Sequence, residues 1–268
     1  MPKFYEPQAR PEHPFIRDYA RAFNFDDYFE TNDDVRRALA GYFGLCSFMD
    51  EQAGKVLSAL ESSGLHTCTR VVYTSDHGDA VGQRGLWGKS TLYEETVGVP
   101  LLVAGEDIPQ RVIDTPSTLL DICPFILECV GGTRDDEQSG VSIVRLAKGE
   151  QPERTVLSEY HGMGSTTGAF AIRAGRFKYV HYVKYRPQLF DLEGDPDETH
   201  DLALDPQYAS VAAECEKKLR ALLSPEAVDA EAKKRQAEQL DRYGGRDAVI
   251  ARGDLGFSPP PGVRPEFR

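Results

Sequence analysis

The longest stretch with a single hydrophobic period covers residues 33–62. Leu39, Tyr42, Phe43, Cys46, Met49, Ala53, Val56, Leu57 and Leu60 recur there at helical spacing and give one apolar face. Thr31 or Asn32 can cap this helix, Asp33 and Asp34 suit its positive end, and Gly64 can close it. Residues 70–74, a β-branched run, read as a strand entering a polar, Gly-rich loop. A second strand is expected at 101–104, and a helix at 117–129 that ends at Gly131-Gly132. Helix, strand, loop, strand, helix predicts an α/β layer with a mostly parallel sheet.

After a polar stretch at 133–138 the texture changes. Segments 155–160, 169–173, 177–183 and 188–192 predict four short strands, with Ala174-Gly175-Arg176 as a tight turn. Helices follow at 206–223 and 225–243, then a Gly/Pro-rich tail with Pro259-Pro260-Pro261. This predicts a small antiparallel sheet with covering helices. The expected units are therefore an α/β core at 1–150, the antiparallel unit at 151–223, and a helical and Pro/Gly-rich tail at 224–268. The opening thirty residues are rich in Pro, aromatic and charged residues and read as a connecting segment that wraps a surface.

Composition changes this picture only by exclusion. With 40% hydrophobic and 28% charged residues among 268, the chain is apolar enough to bury a core. It has no apolar run of the roughly 20 residues that a membrane helix needs. No export signal precedes the first helix, so a cytoplasmic location is expected. A net charge of -12 argues against nucleic acid or an acidic membrane as partner, and leaves room for a small anionic substrate met by a few local cations. Cys46, Cys68, Cys123, Cys129 and Cys215 lack paired spacing, which predicts buried thiols and no zinc or disulfide framework.

The candidate chemistry lies between Tyr73 and Pro100. Asp76 and His77 stand where a strand gives way to a loop, the edge at which open α/β sheets bind ligands. A carboxylate beside an imidazole offers donors suited to a divalent metal. Gly78, Gly82, Gly85 and Gly88 permit turns that can bring Lys89 back over them, where its ammonium would neutralise an anionic oxygen.

Thr74-Ser75-Asp76-His77-Gly78-Asp79, Gly85-Leu86-Trp87-Gly88-Lys89, Tyr93-Glu94-Glu95 and Val99-Pro100-Leu101 together resemble the C-terminal signature of the sulfatase family, within the alkaline-phosphatase-like superfamily. Thr118 to Pro124, Ser158-Glu159-Tyr160-His161, Ile172 to Tyr179 and Gln188 to Leu192 extend the resemblance over residues 34–206, and Ser158 to His161 with the long tail lean toward choline-sulfatase-like members. The resemblance implies an α/β fold: the C-terminal part of an alkaline-phosphatase-like mixed or parallel sheet core, followed by a small antiparallel sheet with covering helices. It implies that Asp76 and His77 bind a divalent metal, Ca²⁺ or Mn²⁺, and that Lys89 contacts the oxygens of a sulfate or phosphate ester. His77 stands where many sulfatases have Asn, as it does in phosphonate monoester hydrolases, so both substrate classes stay open. His161 is as suited to a structural place as to the substrate pocket.

The same resemblance exposes a gap. The family's nucleophile comes from Cys/Ser-x-Pro-x-Arg, oxidised to formylglycine, and no cysteine or serine here stands in that pattern. Asp26-Asp27 and Asp33-Asp34 fall outside any first strand that would carry the family's early metal-binding pair. The expectation is half of an active site, inactive alone and completed by a missing N-terminal half or joined in a homo-oligomer; the rival reading is a non-catalytic remnant that binds a partner through residues 188–243.

Overall fold

In the computed structural model, residues 1–6, 9–133, 135, 139–150 and 153–253 are described. Most of the polar stretch at 133–138 and the tail beyond 253 lie outside them. The chain opens with a helix where a surface wrap was expected. α1, Pro14–Phe23, has proline at its first position, where a missing N–H is harmless, and the His13 ring accepts the Phe15 N–H. Phe15, Ile16 and Tyr19 share one helical face and are buried. The opening segment is therefore part of the core.

α2, Asn32–Ser62, begins at a capping box in which Thr31 and Asp34 satisfy each other's backbone N–H. Of its 31 residues only Val35 is buried. The predicted apolar face forms, and among the described residues nothing covers most of it: Tyr42, Phe43, Met49, Val56 and Leu57 are exposed.

β1, Val71–Thr74, pairs antiparallel with β2, Leu101–Ala104, so the expected parallel arrangement does not hold for these two strands. The reason lies in the connection. A parallel return needs a crossover element of a dozen residues or so. The chain between them holds only short turns and α3, Glu94–Val97, one helical turn.

α4, Ile122–Cys129, follows a turn in which the buried Asp121 carboxylate accepts both guanidinium nitrogens of Arg154 at 2.6 Å, linking this helix to the start of the next sheet. After α5, Ile143–Ala147, comes an antiparallel meander of β3 (Thr155–Tyr160), β4 (Ala169–Ala174), β5 (Phe177–Tyr182) and β6 (Tyr185–Asp191). Gly175, with φ at 59°, makes the two-residue turn between β4 and β5 that the sequence predicts. α6 (Ala209–Leu222), α7 (Pro225–Arg242) and α8 (Arg246–Arg252) complete the fold.

This sheet is buried on both faces. Phe170, Ile172, Tyr179 and Leu189 pack under Cys215 and Leu219 of α6. Ala169, Ala171, Val180, Tyr182 and Phe190 pack on the other side against Phe15, Ile16 and Tyr19 of α1 and against Leu86, Leu92 and Tyr93. The core thus crosses the boundary expected at residue 150. The cysteines depart from expectation: only Cys215 is buried, Cys129 is half-buried, and Cys46, Cys68 and Cys123 are exposed. Two of those exposed thiols lie on helices with uncovered apolar residues, Cys46 on α2 and Cys123 on α4. No described helix is long and apolar enough to cross a membrane.

Candidate active site

β1 delivers Ser75, Asp76 and His77 to its C-terminal end. There the chain must pass close to α3: a Cβ on Gly78 would lie 2.1 Å from the Glu95 carbonyl oxygen, so only glycine fits. The Gly78 N–H donates to the Thr96 carbonyl at 2.9 Å, which fixes where His77 leaves the strand. Ser75 Oγ donates to the His77 carbonyl at 2.9 Å, and the His77 N–H donates to Asp76 Oδ1 at 3.1 Å.

The following loop folds back on itself. The Asp79 carboxylate accepts the N–H groups of Val81 and Gly88 at 3.0 and 3.2 Å, and the Ala80 N–H reaches the Gly88 carbonyl at 2.8 Å. Gly82, Gly85 and Gly88 take positive φ, the turns this closure requires. The result brings together the three residues nominated from sequence. Lys89 Nζ lies 2.6 Å from His77 Nε2, and Asp76 Oδ2 lies 3.4 Å from that same nitrogen. Desolvation acts to raise the Asp76 carboxyl, but the charges of His77 and Lys89 and nearby backbone N–H groups outweigh it and hold it below its ordinary value.

Behind Lys89 stands machinery that no sequence motif announced. Tyr19 of α1 donates its hydroxyl to the Trp87 carbonyl, Arg10 Nη2 donates to the Gly85 carbonyl at 2.8 Å, and Phe29 stacks on the Trp87 ring at 4.5 Å. Burial pushes the Tyr19 hydroxyl up to about 12 against hydrogen bonds from Ser90. Three residues of the opening segment thus clamp the loop that carries Lys89.

On the far side Arg84, buried, pairs with Glu95, lies 4.2 Å over the Tyr93 ring and donates to the Asp197 carbonyl. Lys178 of β5, equally buried, pairs with Glu198 and with Glu94 at 3.0 Å. Burial raises the Glu198 carboxyl, with Lys178 opposing it. These ion pairs seat the loop on the antiparallel sheet. Between the two runs a cleft of about 1330 Å³, lined by Asp76, His77 and Lys89 at one end and by Ser158, Tyr160, Ala171 and Arg173 along the sheet. His161 packs edge-on to Phe170 at 5.2 Å and lies 3.6 Å from Glu159, which fits a structural place.

For a divalent cation, Asp76 and His77 offer a carboxylate oxygen and an imidazole nitrogen 3.4 Å apart, donors whose chemistry would fit. They supply only two donors. Among the described residues no group of three or more His, Cys, Asp and Glu side chains converges as a metal site. A hard cation takes about six to eight oxygen ligands, so these two donors alone would not hold one.

A strand-end cluster of carboxylate, imidazole and ammonium thus opens on a cleft under the antiparallel sheet of a mixed α/β fold. Comparison with known proteins gives the family. The sulfatase pattern matches residues 10–132, and that of the N-sulphoglucosamine sulphohydrolase C-terminal region matches residues 82–224. The chain belongs to the sulfatase family. It is 36% identical over 187 residues to the choline-sulfatase of Rhizobium meliloti, covering 69% of this chain and 36% of that protein. It is 30% identical over 226 residues to arylsulfatase K of Bos taurus, covering 80% of this chain and 42% of that one. A sulfatase structure from Bacteroides thetaiotaomicron superposes with a TM-score of 0.71 at 26% identity, covering 82% of this chain and 51% of the other. A phosphonate monoester hydrolase from Silicibacter pomeroyi superposes with a TM-score of 0.69 at 27% identity, covering 78% and 47%. The chain thus spans about two fifths of the length of these curated relatives and about half that of the solved structures.

Proposed function

We propose that these residues form the cation- and anion-binding half of a sulfate-ester hydrolase. The observation that carries the reading is the convergence of Asp76, His77 and Lys89 at the mouth of the cleft, with Lys89 Nζ 2.6 Å from His77 Nε2. Asp76 and His77 would hold a divalent cation, Ca²⁺ or Mn²⁺, which when bound supplies positive charge to the transferring group. Lys89 donates to a sulfuryl oxygen, and the clamp of Arg10, Tyr19 and Phe29 holds its loop in place so that the charge is aimed before substrate arrives. The sheet side of the cleft receives the alcohol portion of a small anionic ester. The nucleophile, a formylglycine, and the remaining metal ligands belong to the other half of the fold, and this chain alone turns over no ester.

The test is turnover of aryl sulfate by the complete protein, with Ca²⁺ or Mn²⁺ supplied, before and after Lys89→Ala. A loss in kcat of about 10²–10³-fold is expected if Lys89 stabilises charge in the transition state. Unchanged turnover in the variant ends the assignment. One observation favours a second reading: the superposition on a phosphonate monoester hydrolase at 27% identity. An aryl phosphonate hydrolysed faster than the matching sulfate would decide for it.

A further inference from the structure

We propose that His161 and His181 act together as a pH-sensitive clasp: proton uptake by the two imidazoles fastens α7, and the turn at 161–168 that it touches, to the antiparallel sheet. This device is independent of the ester chemistry proposed above.

Both rings lie on the face of the sheet that α6 and α7 cover. His181 of β5 stands opposite Phe170 of β4 in the strand register, and His161 packs edge-on to the same Phe170 ring at 5.2 Å. α7 meets each of them. Gln236 donates to the His161 carbonyl at 2.7 Å, and the Asp229 carboxylate accepts the Gly168 N–H at 2.7 Å. A Cβ on Gly168 would lie 2.9 Å from the His161 ring and 3.1 Å from Asp229 Oδ1, so imidazole and carboxylate flank one backbone position. At the start of α7, Glu226 Oε1 lies 3.8 Å from His181 Nε2.

Three of the four ring nitrogens are buried without a hydrogen-bond partner among the described residues: both of His161, and Nε2 of His181. The fourth, His181 Nδ1, is 3.2 Å from Glu216 Oε2. A neutral imidazole always carries one N–H, so at His161 a buried donor goes unpaired, which costs stability. The charges around each ring are short of one proton. His161 faces Glu159 at 3.6 Å and Asp229, with Lys233 the single cation, paired to Asp229. His181 faces Glu216 and Glu226, with Arg220 the single cation, bridging both carboxylates. Burial raises the Tyr179 hydroxyl and the Cys215 thiol packed beside them, so both stay neutral. Hydrogen bonds from Arg220 hold Glu226 at about 2, while Tyr179, His181 and Arg220 outweigh desolvation at Glu216 and keep it below its ordinary value. Both are therefore anions wherever an imidazole ordinarily titrates.

α7 is an element that such a charge can move. Only Pro225 and Asp229 of its 18 residues are buried, so little apolar packing holds it. The turn it touches continues into the cleft wall: Tyr160, which lines the cleft, donates its hydroxyl to the Met163 carbonyl at 2.7 Å. A proton held more tightly in the docked form gives stability that grows as pH falls through the imidazole range and is lost as pH rises through it. α7 and the 161–168 turn are therefore tight at pH 5.5 and looser at pH 7.5.

The experiment measures amide exchange of the 268-residue chain at pH 7.5 and pH 5.5, corrected for the intrinsic dependence of exchange on pH and referred to β6, which carries neither ring. Protection at 226–237 and 161–168 is expected to rise about tenfold relative to β6 at the lower pH. His161→Gln with His181→Gln should remove most of that rise. Glu226→Gln, which leaves both rings in place, should lessen it at 226–230. Circular dichroism checks that the variants keep their helices; if the double variant does not fold, the wild type and Glu226→Gln decide. Protection that is flat or falls between the two pH values overturns the proposal. So does a rise that survives undiminished in the double variant or in Glu226→Gln.

Discussion

The antiparallel unit and the α2–β1–β2 region obey the same local rules and end in opposite conditions. In the first, β4 reads Ala-Phe-Ala-Ile, and each of these residues is buried because α6 covers one face and α1 the other. In the second, α2 has a better cap than most helices and an unbroken apolar stripe, yet exposes nearly all of it. Local signals decide that an element forms; only a partner surface decides whether its apolar face contributes to stability. The largest test of that contrast is a pair of truncations. Phe170→Ala should cost about 3–5 kcal/mol by urea unfolding. Met49→Ala should cost under about 0.5 kcal/mol, because the side chain is already in water. Equal costs would erase the distinction.

The next test uses charge. Lys178 is buried between Glu198 and Glu94, so Lys178→Met leaves the buried Glu198 carboxylate without its cation and should cost about 3 kcal/mol at pH 7. The sign of its pH dependence follows from Glu198, whose carboxyl burial already raises above 4.5. A raised carboxyl destabilises the fold above its folded pKa, and that penalty shrinks as pH falls through it toward the unfolded value. Without Lys178 the rise grows, so the variant should gain stability between pH 7 and pH 5. Glu226 moves the other way. Held at about 2 chiefly by its hydrogen bonds to Arg220, it contributes stability above pH 4.5 that is lost as pH falls toward 2. A variant that loses stability from pH 7 to pH 5 would show that Glu198 is not the group responding.

How much of this was legible beforehand varies with the range of the signal. α2, the four strands of the meander and the Gly175 turn follow from spacing and turn chemistry, which are local. The juxtaposition of Asp76, His77 and Lys89 was legible because four glycines and a known motif enclose it. The antiparallel pairing of β1 with β2 was hidden, since strand direction depends on what the connection does in space. α1 had a readable start in His13-Pro14 and apolar residues at Phe15, Ile16 and Tyr19, but the prolines around it suggested a loop. The clamp on Trp87 had no sequence signal, because Arg10, Tyr19 and Phe29 meet their targets across more than fifty residues of chain.

That clamp supplies a smaller test. Trp87 is the only tryptophan, so its emission reports on the Lys89 loop directly. Tyr19→Phe removes one hydrogen bond to the Trp87 carbonyl and should cost about 1 kcal/mol. It should also shift Trp87 emission to the red and speed amide exchange at 86–89, while exchange in β4–β6 follows only the small global change. An unchanged emission spectrum would mean that stacking on Phe29 alone holds the loop.

The finest test places the same chemistry in both regions. Thr31 caps α2 by accepting the Asp34 N–H, and Asp205 caps the turn leading into α6 by accepting the Gln207 N–H. Replacing either cap by alanine removes about 1 kcal/mol of local helix stability. α6 is fastened to the sheet through Cys215 and Leu219, so fraying its start withdraws packing from the core, and Asp205→Ala should lower global stability by about that 1 kcal/mol. Past Val35, α2 is fastened to very little, so Thr31→Ala should speed amide exchange at 33–37 and leave the urea midpoint where it was. If the midpoint falls as far for Thr31→Ala as for Asp205→Ala, then α2 is coupled to the core in solution. The contrast between the two regions would then lie in burial alone and not in cooperativity.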